Sequence, residues 1–409
     1  MKAAVFLIVL LTTGVLVSAQ LETTFFDAID HPAIQYHTRE AHDPVASLNQ
    51  QLLTGGVRFT FDPERGYLRS TLEALKISID SQIAVFSRTS VQAGIISPRN
   101  PRTLFFNDAV AVGWMRGGFI ELAAQDPQQG IIFYLLPQQQ TAAPQFIRTD
   151  QCLSCHHSYN TLGVPGMLAR SVVADPRGVA MPYLGNYLTD HRSPFDERWA
   201  GWYVTGSVGS MRHLGNATVA DRDKFDEAIT ADTLNLKSLD GRFDTSAYLS
   251  PHSDVVALMV FNHQMAMMNL ITRVGFETRA GAETRDNVRE LVDYLLFVDE
   301  RPLPGRIQGS SRFAETFAAP GPRDGKGRSL RQLDLERRLL RYPCSYMVYS
   351  DAFDGLPANA REAIYRRMWD VLSGNDKSVR YARLTPSDRQ AIIEILRDTK
   401  QNLPQYWKS

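Results

Sequence analysis

The chain has 409 residues, 44 Lys and Arg against 44 Asp and Glu, 44% hydrophobic residues and three cysteines. Zero net charge removes the electrostatic reason for nucleic-acid or anionic-membrane binding, and an apolar content near the globular average argues against wholesale disorder. Three cysteines in a chain long enough for two or three domains exclude a disulfide-dense scaffold.

The chain opens as a secretory signal. Lys2 supplies a positive charge, residues 3–17 are uncharged and mostly apolar, and Val17-Ser18-Ala19 offers small residues for cleavage after Ala19. The apolar run falls short of the ~20 residues a span needs, and no later run reaches ~18, so the mature chain is expected to keep no stable membrane span. Export places it in the periplasm or outside the cell, in an oxidising compartment.

Residues 20–149 read as a β-rich N-terminal region. An irregular lead-in with a short helix near 43–53 is followed by apolar residues at helical spacing over 67–75 and a strand at 82–86. Short β-rich runs follow at 103–106, 110–115, 119–123, 131–136 and 145–147. Gly117-Gly118 and Asp126-Pro127-Gln128-Gln129-Gly130 separate them as hairpin turns would. Residues 150–252 are rich in Gly, Pro and turn residues, as loops that carry function are. From 253 to 409 the pattern is helical. Ser253-Asp254 can cap a helix to residue 271, and further helices are expected at 287–296, 331–340, 360–372 and 386–399. The fold class expected is α+β: a β-rich N-terminal part, a loop-rich middle and a helical C-terminal part.

The chemistry is concentrated in Asp150-Gln151-Cys152-Leu153-Ser154-Cys155-His156, which contains C-x-x-C-H, the pattern of covalent haem c attachment. On a helical turn, two thiols at this spacing reach the two vinyl groups of one porphyrin, and the next imidazole lies over the iron. Three other readings use the same residues. A thioredoxin-like pair lacks the βαβ context, zinc lacks a second pair of ligands at motif spacing, and a Cys152–Cys155 disulfide remains open in an oxidising compartment.

On Cys152, Cys155 and His156 the chain resembles secreted bacterial proteins with a single-haem cytochrome c domain. A looser likeness to large members of that group lies in Gly201-Trp202-Tyr203-Val204-Thr205-Gly206 and Arg212-His213-Leu214-Gly215-Asn216. The resemblance implies one covalent haem c on Cys152 and Cys155, iron ligation by His156, and electron transfer with an unidentified periplasmic redox partner. It implies no substrate, and it leaves most of the chain unexplained.

The second axial position divides carriers from enzymes and sensors, because Met or His fills it in the first and water or nothing in the others. The glycine-rich loop 206–213 is free enough to fold across the far haem face, with His213 the first candidate, Met211 the second and Met167 outside it the third. Trp199, Trp202, Tyr203 and Tyr159 are candidates to line the haem, and Arg170, Arg192, Arg198 and Arg212 to pair its propionates. A periplasmic electron carrier is the favoured function, and a haem peroxidase or oxidase or a redox or gas sensor the alternative. His263, on an apolar helix, and Cys344, without a partner, are expected to be core residues. The basic run 321–328 is expected to be a solvated turn.

Overall fold

The computed structural model describes residues 27–408 apart from Phe225, so the signal segment lies outside the described residues. Two short helices open the described chain, α1 (Pro44–Leu53) and α2 (Leu68–Ala74). Strands β1 (Ile83–Val85), β2 (Arg102–Phe106), β3 (Val110–Trp114), β4 (Ile120–Asp126), β5 (Gly130–Leu136) and β6 (Ile147–Arg148) then form an antiparallel meander. The turns follow the expected chemistry. Gly117 between β3 and β4 and Gly130 at the start of β5 take left-handed φ of +81° and +76°, and Asp126 Oδ1 accepts from the Gln128 and Gln129 amides.

The middle of the chain is built from short pieces: α3 (Leu153–His156), β7 (Arg170–Val172), β8 (Asn186–Leu188), β9 (Trp202–Tyr203), β10 (Gly206–Ser207) and α4 (Ala231–Leu234). β9 joins the meander beside β1, giving seven strands in the order β6-β5-β4-β3-β2-β1-β9. The C-terminal part contains α5 (Val255–Arg279), α6 (Arg285–Leu295), β11 (Gln308–Gly309), α7 (Phe313–Ala318), α8 (Asp351–Asp354), α9 (Ala358–Leu372) and α10 (Pro386–Thr399). The structure is thus α+β, with its antiparallel sheet in the N-terminal half and its long helices in the C-terminal half.

Side-chain alternation gives the sheet two buried faces. Ile120, Leu122 and Ala124 of β4 join one core with α1, α2 and the lead-in residues Ile34 and Tyr36. Phe106, Ala111, Ile131 and Phe133 face the other core, which α5 dominates. That helix is long and apolar enough to cross a membrane by length and composition, but 94% of its apolar window is buried inside the protein. It runs eight residues past its expected end, to Arg279.

One expected helix is not formed. Residues 331–340 carry good helix formers, yet Leu335 is left-handed (φ +60°), Asp334 Oδ1 accepts from the Glu336 and Arg337 amides, and Leu333 bridges Leu340. A side-chain turn of this kind competes directly with the helical ladder. The basic run 321–328 is also more ordered than a solvated turn, since Arg328 and Lys326 both pair with Glu394 of α10.

Candidate functional site

Strand β6 delivers the C-x-x-C-H segment onto the α5-facing side of the sheet. Ile147 pairs with Leu135, the Thr149 amide donates to the Phe133 carbonyl at 3.0 Å, and the chain then turns into α3. The His156 amide donates to the Cys152 carbonyl at 2.9 Å and the His157 amide to Leu153 at 2.9 Å, so the motif is one helical turn. Cys152 is half-buried, Cys155 is exposed, and both are free thiols. Burial, reinforced by the charge of Glu121, pushes the Cys152 thiol up to about 11, which keeps it protonated at neutral pH.

His156 is held on three sides. Its Nδ1 lies 2.9 Å from the Gly166 carbonyl, the Gly166 amide donates back to the His156 carbonyl at 2.8 Å, and the ring packs on Phe133 at 5.0 Å between centroids. A carbonyl only accepts, so Nδ1 carries the proton, and the neutral ring presents a bare lone pair at Nε2. Burial keeps the ring neutral by lowering its pKa. No described residue engages Nε2. A histidine tied to a backbone carbonyl through one nitrogen and open at the other is prepared to ligate a metal.

The tie itself is anchored. Asn269 of α5 accepts from the Met167 amide at 2.9 Å and donates to the Met167 carbonyl at 2.8 Å, and the Ile131 amide donates to the Pro165 carbonyl. A Cβ on Gly166 would collide with the Asn269 amide oxygen, so only glycine fits between helix and imidazole. Sequence reading missed these positioning residues. The signal available was Gly163-Val164-Pro165-Gly166, a turn closing within ten residues of the histidine.

The same sheet face carries an ion pair, Arg102–Glu121 at 2.6 Å, whose charges act on both Cys152 and His156. Burial pushes the Glu121 carboxyl up, but Arg102 and hydrogen bonds from Gln92 and Ser90 outweigh it and hold the group below its ordinary value. Beside this pair a groove of about 710 Å³ includes Gln92, Leu135 and Ile147 in its wall. Val91, Ile95 and Ile147 line it while 51%, 41% and 53% exposed, an unusual display of aliphatic surface. The unbridged thiols and the open Nε2 suit the vinyl groups and iron of a porphyrin, while the groove itself is lined by none of Cys152, Cys155 and His156. Among the described residues no group of three or more His, Cys, Asp or Glu could hold a bare metal ion. A haem needs no such group, because the porphyrin supplies four of the iron ligands.

The loop expected to cross the far haem face is packed inward. His213 is fully buried, its Nδ1 accepts from the Gly215 amide at 3.0 Å, its Nε2 bonds the Leu234 carbonyl at 3.2 Å, and its ring lies edge-on to Trp199. With both nitrogens committed, it has none to give iron as folded. Met211 is buried in the main core. Met167 is buried in the same core, its backbone held by Asn269.

The remaining candidates are mostly structural. Trp199 donates to Asn262 of α5, Trp202 to the Arg170 carbonyl and Tyr203 to the Pro98 carbonyl. Arg192 pairs with Asp190, Arg212 with Asp226, and Arg170 bonds Asn186. Arg198 is buried against the Ser193 and His191 carbonyls, and burial lowers it to about 10. Only Tyr159, 83% exposed and three residues after His156, is both aromatic and open. Cys344 is buried, and burial pushes its thiol far up. His263 is core but not isolated: its Nδ1 meets that of His191 at 2.8 Å, its Nε2 meets Ser345 Oγ at 2.8 Å, and both rings stack on Tyr294 and Phe297.

No family model, no curated protein and no solved structure matches the chain.

Proposed function

We propose that the protein is a periplasmic c-type cytochrome that carries one haem on Cys152 and Cys155, with His156 as proximal ligand, and passes electrons to a redox partner. The observation that carries this reading is the state of His156. Its proton is fixed on Nδ1 by the Gly166 carbonyl, and its free Nε2 sits one residue from a free thiol on the same helical turn. The bound haem would supply a one-electron iron couple. The polypeptide would do the rest. Cys152 and Cys155 would tether through thioether bonds, Phe133 and Gly166 fix the imidazole plane, and the half-buried Glu121 carboxylate would favour the more positive, oxidised state while Arg102 opposes it.

A second reading is favoured by one observation. His213 has both nitrogens engaged, and Met211 and Met167 are packed in the core, which favours a sixth position that none of the three fills. An open position suits a haem enzyme or a gas or redox sensor.

Two experiments on protein matured with the periplasmic haem-attachment machinery test these readings. Haem that stays with the polypeptide through denaturing electrophoresis and is lost in Cys152→Ala/Cys155→Ala supports attachment; protein that matures without covalent haem overturns it. Optical and EPR spectra then divide the readings. A six-coordinate low-spin iron that resists carbon monoxide supports the carrier, whereas a high-spin iron that binds it supports the open site.

A further inference from the structure

Away from the haem segment, a cleft of about 730 Å³ opens where three coil segments meet: 296–302 after α6, the stretch 337–343, and 379–384 before α10. The volume is that of an ordinary small-molecule site. Five arginines line it, Arg301, Arg337, Arg338, Arg380 and Arg383, against two acidic residues, Asp299 and Glu300, the latter with its carboxyl on the Leu339 amide.

Three of these are matched by carboxylates. Arg338 makes two bonds to Asp388 at 2.6 and 3.2 Å, Arg337 bonds Asp334 at 3.2 Å, and Arg380 pairs with Asp299 and Asp293 at 3.1 and 3.3 Å. Arg301 and Arg383 have no carboxylate partner among the described residues. Arg383 Nη1 donates instead to the Glu300 carbonyl at 2.8 Å, which sets this guanidinium against the peptide leading into Arg301. Two arginines of one cleft without carboxylate partners leave charge that an anion accepting from both would neutralise.

The cleft wall has open apolar surface, since Val379 is 87% exposed and Pro302 and Ala382 are exposed, while Leu296, Phe297 and Val298 lie buried behind it. The backbone behind that wall is strained. Phe297 and Asp299 both adopt left-handed φ, +55° and +66°, a conformation that side chains bearing a Cβ avoid and that concentrates at ligand sites.

We infer that this cleft binds a small organic dicarboxylate, with its acidic ends on Arg301 and Arg383 and its hydrocarbon body on Pro302 and Val379. Phosphate fits less well, because it has no apolar body and because the neighbouring helix end offers no amide cradle. At the start of α10, Pro386 has no amide hydrogen, while the Thr385 and Asp388 amides are consumed by their own capping box. The site is independent of the haem reading.

Calorimetric titration of the full-length mature protein with succinate, inorganic phosphate and the neutral analogue succinamide tests it. Saturable succinate binding is expected, weakened roughly tenfold or more in Arg301→Ala and in Arg383→Ala, each of which removes one charge-assisted contact. Arg289→Ala, on the exposed face of α6, should bind as the wild type does. The inference is overturned by absence of saturable succinate binding, by equal binding of succinamide, by phosphate binding without succinate binding, or by Arg289→Ala weakening binding as much as the cleft variants. Because both cleft arginines are solvent-exposed, the variants should fold, and unchanged thermal unfolding verifies that lost binding is local.

Discussion

At the scale of single residues, the position of the His156 proton decides which nitrogen is open to a metal. The Gly166 carbonyl settles it, and Asn269 settles where Gly166 lies. Replacing Asn269 with Ala leaves the buried Met167 amide and carbonyl without partners, at a cost of about 1–3 kcal/mol per group, and frees the loop that orients the imidazole. Chemical denaturation should show this loss, and the haem spectrum should broaden or shift; an unchanged spectrum would mean that the loop does not position the ligand. Gly166→Ala should act in the same direction through its collision with Asn269. Glu121→Gln tests the electrostatics. It removes a half-buried negative charge from beside the haem segment and leaves Arg102 unpaired, so the midpoint potential should rise. A fall in potential in a redox titration would contradict the placement of that charge near the iron. Cys152, Cys155 and His156 were legible because their spacing is chemistry written in consecutive residues. Gly166 and Asn269 were not, because a glycine and an asparagine 103 positions apart acquire meaning only when the chain folds back.

Helices and strands were legible where a local signal set them. Asp43, Asp254 and Thr385 all cap helices that the sequence foretells, and the glycine turns between strands appear where expected. The caps differ in what surrounds them. Thr385 is exposed, and its replacement by Ala should cost about 1 kcal/mol. Asp254 is fully buried, with one oxygen on the Val256 and Ala257 amides and the other on the Ser311 amide and hydroxyl. Its loss strands several buried donors, so Asp254→Ala should cost about 3 kcal/mol or more. Urea unfolding of the two variants checks the order; equal losses would show that the Ser311 contacts carry little. Reading failed at 331–340, where composition favours a helix but Asp334 diverts two amides into a turn and Leu335 flips to the left-handed region. It also missed β9, because a two-residue strand has too little alternation to be seen and exists only through its pairing with β1.

At the scale of the molecule, one apolar helix and one sheet enclose histidines that are ordinary in the sequence. His191 and His263 are completely buried; burial first, then neighbouring positive charge, holds His263 down to about 3 and His191 well below its ordinary value, while burial lowers His213 to about 4. Unfolded, each protonates near pH 6.5. Below that pH the unfolded chain binds more protons than the folded one, so stability is full above about 6.5 and declines as pH falls towards 3 to 4. At pH 5 each of these histidines costs about 2 kcal/mol. Glu300 works in the opposite sense, since burial raises its carboxyl to about 7 and the folded state gains a proton over part of the same range. It offsets one histidine and leaves the net slope towards acid instability. Denaturation midpoints at pH 7, 6 and 5 should fall, and His213→Asn should flatten the fall; an unchanged slope would mean that His213 is not buried neutral. The sequence by itself determined the α+β class, the order of the larger elements and the attachment motif, because these rest on periodicity, turn chemistry and spacing within a few residues. Only the tertiary structure decided which histidine nitrogens are free, that His213 is spent inside the core, and that Arg301 and Arg383 share a cleft. Those outcomes depend on which distant groups pack together, and a buried polar atom takes whatever partner the fold brings to it.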